Sequence, residues 1–220
     1  MSRTIDITET DGPGAHEVTE IGDAIVAIPR RTIDKLLVGF GVVAAVVFAV
    51  AGGLLTWGSN FSEDYVYDEL SSQNIFFPPE EALREEGRDD LVEFAGQQVT
   101  TGEQAEAYAS FIDGHLQNIA DGQTYAEIDD RGAWAEVEAA REAGASEDEI
   151  AELEATAQQL TQQRDTLFKG ETLRGLLLSS YAWSTIGRIA GITATVAFVA
   201  AGLMVVLVVL GVVQVARNRA

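Results

Sequence analysis

The chain has 220 residues, no cysteine, and a formal net charge of −21 from 35 acidic and 14 basic residues. The lack of cysteine excludes disulfides, iron–sulfur clusters and thiolate zinc sites. The acidic excess argues against nucleic-acid binding, because that function requires lysine and arginine to neutralise phosphates.

The acidic excess lies in the middle of the chain. Residues 58–187 contain 28 acidic and 7 basic residues, so this segment alone carries a charge of −21. A surface of this kind repels anionic lipid and attracts cations or basic proteins. Solubility or adaptation to salt is the more common explanation of such a surface, and binding of cations or basic proteins is the alternative.

The first segment, residues 1–35, has little apolar content. It carries seven acidic and four basic residues and contains the break Gly12-Pro13-Gly14. Such a composition cannot bury enough apolar surface to fold alone, so we expect a mostly disordered tail.

An apolar run of 21 residues, Leu36–Thr56, follows the tail and contains no charged residue. About 20 apolar residues in a helix cross the hydrocarbon core of a bilayer, so we predict a transmembrane helix. The helical pattern continues past Trp57 until Pro78 and Pro79, which cannot extend a helix. Phe76 and Phe77 at this point are candidate contact residues for a partner protein or lipid, and interfacial packing is the alternative.

The acidic middle segment shows helical periodicity and few strand signals. The predicted helices are Asp89–Gln98, Thr101–Ala120, one that starts at a Thr124/Glu127 capping box and ends at Gly144, and one that starts at Ser146. The last has apolar residues at alternating spacings of three and four from Ile150 to Leu167, interrupted by Arg164. We expect Gly170 to break or kink it.

A second apolar run, Ile189–Val215, has 27 residues, more than a bilayer core needs, so we expect it to tilt or project. Small residues in both runs favour packing of the two helices against each other. Tyr181 and Trp183 precede this run and fit an aromatic belt at a membrane interface, and they are also candidate contact residues. The runs contain no ionisable residue, which argues against a proton relay, an ion path or a voltage sensor.

Basic residues flank the outer ends of the two runs and favour a cytoplasmic location for both termini. The predicted fold is all-α, with two transmembrane helices that form a hairpin and an extracytoplasmic acidic helical bundle between them. The five segments are a cytoplasmic tail (1–35), transmembrane helix 1 (36–56), the extracytoplasmic domain (57–188), transmembrane helix 2 (189–215) and a cytoplasmic end (216–220).

No residue pattern indicates catalysis. By the predicted topology His16 and His115 lie on opposite sides of the membrane, so they cannot share a metal or a catalytic site. Neighbouring carboxylates on a helix point about 100° apart, and neither a calcium loop nor a nucleotide-binding or nucleophile motif is present. We predict no catalytic residue, no metal site and no cofactor.

Several stretches resemble a family of uncharacterised actinobacterial two-span membrane proteins. They are Gly170-Glu171-Thr172-Leu173-Arg174-Gly175-Leu176-Leu177-Leu178 with Tyr181-Ala182-Trp183, Phe77-Pro78-Pro79, Gly96-Gln97-Gln98-Val99, Ala107-Tyr108-Ala109 and Ile119 to Tyr125. The resemblance covers about residues 36–210. It implies two spans with a helical extracytoplasmic loop domain, in an actinobacterial plasma membrane, and no activity.

The sequence therefore predicts a non-enzymatic integral membrane protein whose extracytoplasmic domain mediates protein–protein interaction. An accessory subunit of a larger envelope or respiratory complex is one form of this role. The expected partners are the lipid bilayer and either another protein or a second copy of the chain. A membrane sensor for a cation or small ligand is the alternative, and an envelope enzyme is a third hypothesis.

Overall fold

A computed structural model describes residues 30–217, with side chains from residue 32 onward. The helices are α1 (Arg30–Ser72), α2 (Glu80–Glu85), a 3-10 helix (Asp89–Phe94), α3 (Gly102–Ile119), α4 (Asp130–Glu142) and α5 (Glu147–Arg217). Within this range a single isolated bridge, between Phe76 and Gln98, is the only β-type pairing. The all-α prediction is confirmed. The predictions for the tail up to residue 29 and for His16 lie outside the described residues.

Helices α1 and α5 are much longer than the others, with 43 and 71 residues. At 1.5 Å per residue they extend about 65 Å and about 105 Å. Each contains an apolar stretch long enough to cross a membrane, and only 11% of that stretch is buried within the chain. The core helix of a water-soluble protein would be mostly buried, so these two helices fit a lipid bilayer environment.

The ends of α1 and α5 do not coincide with the ends of their apolar runs. Helix α1 continues past Trp57 and ends at Ser72, shortly before the two prolines, as predicted. Helix α5 passes through the expected boundary at Arg188 without interruption. The predicted boundaries between spans and domain are therefore changes of composition within continuous helices.

The expected break at Gly170 is wrong, because α5 is helical on both sides of it. A Cβ atom at Gly170 would overlap the methyl groups of Leu116 in α3. The glycine therefore allows close contact between two helices. Its conformational freedom, which suggests a break, is not used here.

The expected helix start at Thr124 is also wrong. The Glu127 carboxylate does accept hydrogen bonds from the Thr124 amide and hydroxyl, at 2.7 and 2.8 Å, but the segment forms only a turn. Helix α4 begins at Asp130, where the Asp129 side chain accepts from the Gly132 amide. A side chain that caps a turn and one that caps a helix use the same residue types, so the sequence pattern does not distinguish them.

The other predicted helix limits agree more closely with the structure. Gly144, with φ +70°, follows the end of α4, and the Ser146 hydroxyl accepts from the Glu149 amide at the start of α5. Thr101 caps α3 in a reciprocal capping box with Gln104. The segment predicted as Asp89–Gln98 is a shorter 3-10 helix that ends at Phe94.

Helices α1 and α5 pack antiparallel at one constant register. The close contacts pair a small residue of one helix with a side chain of the other: Val38 with Gly211, Gly41 with Val208, Gly52 with Phe198, Ser59 with Gly191 and Ser62 with Gly187. A Cβ atom on any of these glycines would lie 2.8 to 3.0 Å from its partner. The residue numbers of each pair add to 249 or 250, so the register does not slip, and the predicted packing is confirmed.

Not every small residue takes part in this contact. Gly39, Gly53 and Gly202 have no atom of a neighbouring element within 4 Å of the position that a Cβ atom would occupy, so they face outward. Ala194 and Ala201 are buried. The small-residue pattern thus predicts the contact but not which glycines form it.

The constant register aligns the charges at both ends of the helix pair. Residues 36–62 and 189–216 contain no charged side chain, and we call this zone the charge-free slab. Lys35 and Arg217 bound it at one end, and Glu63 and Arg188 bound it at the other. Its length of about 40 Å equals that of a hydrocarbon core with its interfacial layers. The extra residues of the second apolar run lie beside Trp57–Ser62, and this pairing accounts for the length difference between the two runs.

The remaining helices pack on the part of α1 and α5 beyond the slab. Leu177 of α5 is buried with Val66 and Leu70 of α1 and with Ala105 and Ala109 of α3. Helix α2 and the 3-10 helix cover the outer face of α3 through a cluster of Leu83, Leu91 and Phe111. Helix α4 packs against the N-terminal part of α5.

The contact at Gly170 generates a stability prediction. We expect Gly170→Ala to lower the free energy of unfolding by about 1–3 kcal/mol, because the added methyl group overpacks Leu116. Gly175→Ala is the matched control, since its side-chain position has nothing within 4 Å, and we expect it to raise stability by up to about 1 kcal/mol. Thermal unfolding in detergent, followed by circular dichroism, measures both. Equal effects of the two substitutions would contradict the close contact.

Candidate interaction surface

The pair of helices α1 and α5 has two sides, and α3 covers one of them. Helix α3 reaches α5 at Gly170, at Arg174, whose guanidinium lies 3.5 Å from the Asp113 carboxylate, and near Tyr181 and Ser184. The N-terminal Gly102 of α3 leaves no room for a side chain against the last two. These contacts fix α3 against one side of the helix pair.

No described element of the chain covers the opposite side of the pair. Three residues of α5 come one position before a residue that contacts α3, so they point about 100° away from that contact around the helix. They are Leu173, Ser180 and Trp183. They line a groove of about 240 Å³ between α5 and α1, which we call the open groove. Its other main lining residues are Tyr65, Glu69, Leu70 and Ile75 from the α1 side and Leu176 and Leu177 from α5. Glu69 is the only charged residue among those that line it.

The apolar side chains of the open groove are accessible to solvent. Leu176 is 64% exposed and Trp183 47% exposed, whereas Leu177 at the base is 2% exposed. The hydroxyl of Ser62 donates a hydrogen bond of 2.6 Å to the carbonyl oxygen of Trp183. This bond ties α1 to the backbone of α5 at the lower end of the groove.

Three aromatic side chains on α1 continue the groove toward the charge-free slab. Trp57, Phe61 and Tyr65 follow one another at intervals of four residues, and their rings stack with centroid distances of 5.8 and 6.3 Å. Each is about half exposed or more. Rings at this spacing share one face of the helix, so the apolar surface is continuous from the slab to the groove.

The four predicted contact residues fall in different environments. Phe77 is 3% exposed and packs between Phe94 and Tyr108, with ring centroids 5.3 and 5.2 Å away, so it belongs to the core. Phe76 is 53% exposed and forms the isolated bridge. Tyr181 is half-buried against the start of α3. Only Trp183 lies in the open groove.

Sequence reasoning misses Tyr65, Leu173 and Leu176. Tyr65 and Leu176 lie next to the core residues Val66 and Leu177, and all three residues fit the pattern of an ordinary buried stripe. The sequence feature that could have identified them is the width of the apolar stripe. A helix that packs on one neighbour does not need apolar residues at three consecutive positions, as at Leu176–Leu178.

A second, wider cleft of about 1000 Å³ lies between the α3–α4 loop and α5. Tyr125 and Phe168 face each other there with centroids 5.5 Å apart. Arg164 lies 4.8 Å above the Tyr125 ring and pairs with the Asp130 carboxylate at 2.7 Å. The arginine that interrupts the apolar spacing of α5 therefore holds the loop against the helix.

His115 and the carboxylates of residues 32–217 do not converge on a common site. The Nε2 atom of His115 lies 3.5 Å from a Glu86 oxygen, and its Nδ1 atom lies 3.1 Å from the Phe111 carbonyl oxygen. The side chain is about half exposed at the edge of the bundle. Within residues 30–217, no three histidine, aspartate or glutamate side chains converge as a metal site requires.

The shifted pKa values have local structural causes. A hydrogen bond from the Arg88 guanidinium lowers the pKa of the Asp90 carboxyl. Hydrogen bonds from the amide and hydroxyl of Thr124 lower the pKa of Glu127. Burial raises the pKa of the Tyr108 hydroxyl. None of these groups lines the open groove.

Comparisons with protein-family models, with curated proteins and with solved structures find no match to this chain. The resemblance to actinobacterial two-span proteins thus stays a prediction.

The different environments of Phe76 and Phe77 generate a prediction. We expect Phe77→Ala to lower the free energy of unfolding by about 3–5 kcal/mol, because it empties a site between two packed rings. Phe76→Ala is the adjacent control and changes it by less than about 0.5 kcal/mol, as for an exposed side chain. Chemical denaturation in detergent measures both values. A Phe76→Ala loss as large as that of Phe77→Ala would contradict the assignment.

Proposed function

We propose that the chain is a non-enzymatic integral membrane protein that binds a partner protein through the open groove. The observation that carries the proposal is an exposed, apolar, nearly uncharged groove on a chain of net charge −21. Depletion of charge together with enrichment in aromatic residues is characteristic of the centre of protein interfaces. An accessory subunit of a larger envelope or respiratory complex needs such a surface to bind its neighbouring subunit.

The proposed topology places both termini in the cytoplasm and the acidic domain outside. Lys35 and Arg217 lie at one end of the charge-free slab, and the sequence adds Arg30, Arg31 and Arg219 near the same end. Near the opposite end the basic residues are Lys169, Arg174 and Arg188, which makes three against five. An excess of basic residues marks the cytoplasmic side of a membrane protein. The resemblance adds an actinobacterial plasma membrane.

Lipid does not account for the whole exposed surface. In this topology Leu176 and Leu173 precede Ile189 by 13 and 16 residues, so they lie about 20 and 24 Å outside the slab. The interfacial layer of a bilayer is only about 5–8 Å thick on each side. Trp57 and Phe61 are within reach of lipid, whereas the upper part of the groove requires a protein to cover it.

A sensor for a small ligand is the second candidate function. The cleft beside Tyr125 and Phe168 is large enough for such a molecule, and α5 runs from that cleft to the charge-free slab without a break. Pockets that bind small molecules combine aromatic walls with a few polar groups. The open groove supports partner binding more directly, because its exposed apolar area has no cover within the described residues.

The topology has a direct test in this cysteine-free chain. We expect Ala139→Cys, on exposed α4, to react with a membrane-impermeant maleimide added to intact cells. Ala216→Cys, the last residue of the slab at its other end, should react only after permeabilisation. Labelling of Ala216→Cys alone in intact cells would contradict the proposed orientation.

The binding role has a second test, in which the tagged protein is purified in mild detergent and its native mass measured. We expect a complex heavier than one 23.6 kDa chain. Leu176→Glu should dissociate it, because a carboxylate in an apolar interface is not solvated. Leu178→Glu is the control, since this exposed leucine lies two positions or about 200° around α5, and should retain the complex. A monomeric wild-type protein would overturn the proposal.

A further inference from the structure

We infer that the occupant of the open groove is a second copy of this chain. The α1 and α5 helices of two copies would then form a four-helix bundle around a two-fold axis along the membrane normal. This inference rests on the proposed function, because it names the partner that binds the same groove. Four features of the structure support it.

The first feature is the distribution of charge between the two sides of the helix pair. Residues 76–120, which include α2, the 3-10 helix and α3, carry ten acidic and two basic residues. They pack on the side opposite to the open groove. Two copies joined through their open grooves keep these acidic elements on the outside, far from each other. A contact through the α3 side would bring these acidic elements into the interface, where like charges repel.

The second feature is the orientation that a membrane imposes. All copies of the chain insert in the same direction, so identical faces meet only around an axis along the membrane normal. Each level of the groove then contacts the same level of the other copy. Tyr65 meets the aromatic surface near the other Tyr65, and Leu176 meets the other Leu176. These contacts are apolar, and the charged lining residues, Asp34 and Glu69, lie at the two ends of the shared face and not at its centre.

The third feature is the continuation of the groove inside the charge-free slab. A second groove of about 250 Å³ lies between α1 and α5 beside Gly41 and Val208. Leu37 and Leu207, which line it, precede the contact residues Val38 and Val208 by one position. Tyr65 and Leu176 precede the core residues Val66 and Leu177 in the same way, so both grooves lie on the same side of the helix pair.

The fourth feature is the size of the shared face. From Asp34, at the end of the inner groove, to Glu69, in the outer groove, α1 extends about 50 Å. Two helices side by side are roughly 20 Å wide. The face therefore offers on the order of 1,000 Å² per copy, and stable interfaces bury about 800 Å² per partner. The area is sufficient for a stable dimer.

The test is oxidative cross-linking of single-cysteine variants in native membranes, with copper phenanthroline as the oxidant. Tyr65→Cys and Leu176→Cys place a thiol in the groove, and Tyr67→Cys and Leu178→Cys are their controls. Each control replaces a residue of the same type two positions further along the helix. Tyr65 is 47% exposed and its control Tyr67 is 56% exposed, while Leu176 is 64% exposed and its control Leu178 is 38% exposed. All four substitutions are at exposed sites, and circular dichroism of each purified variant confirms that it folds.

We expect disulfide-linked dimers from the two groove variants and roughly fivefold less or none from the controls, which lie about 200° around each helix. Equal cross-linking of all four variants would indicate random collision and overturn the inference. As a measurement independent of cysteine, two differently tagged wild-type copies produced in one cell should co-purify. Absence of both dimer signals, with a heavier complex still present, would overturn the second copy as occupant and leave the proposed function standing. A monomer in every assay would overturn both.

Discussion

The antiparallel contact between α1 and α5 keeps one register from Val38 and Gly211 to Ser62 and Gly187. Glycine or serine at each close contact brings the two backbones together, so neither helix can slide without a collision. This register sets the aligned ends of the charge-free slab. Both helices continue unbroken beyond the slab, so they connect the domain directly to the apolar stretches.

A pair of packed helices has a groove on each side, and residues 30–217 fill only one of them. The capped N-terminus of α3 and the contact of Leu116 with Gly170 fix α3 on one side. The other side keeps Leu176 and Trp183 exposed beside a hydrogen bond that holds α1 and α5 together. The surface proposed to bind a partner is therefore a consequence of the asymmetric placement of α3.

The all-α class, the two apolar helices and their mutual packing could be predicted from composition and periodicity, because these signals depend on many residues. The errors at Gly170 and Thr124 have a common cause. A glycine that allows close packing and one that ends a helix look identical in sequence, as do the caps of turns and of helices. Most of the groove could not be predicted for a similar reason. Whether Leu176 is buried like Leu177 depends on where α3 packs, and no local pattern contains that information.

The central claim is that α5 is one rigid helix from the domain into the charge-free slab. Spin labels at Ala155→Cys and Ala182→Cys, both exposed positions on either side of Gly170, test it by pulsed electron paramagnetic resonance. An unbroken helix places the two Cα atoms about 40 Å apart, with a single narrow distance distribution. A clearly shorter or broad distribution would show a break or hinge at Gly170 and contradict the account.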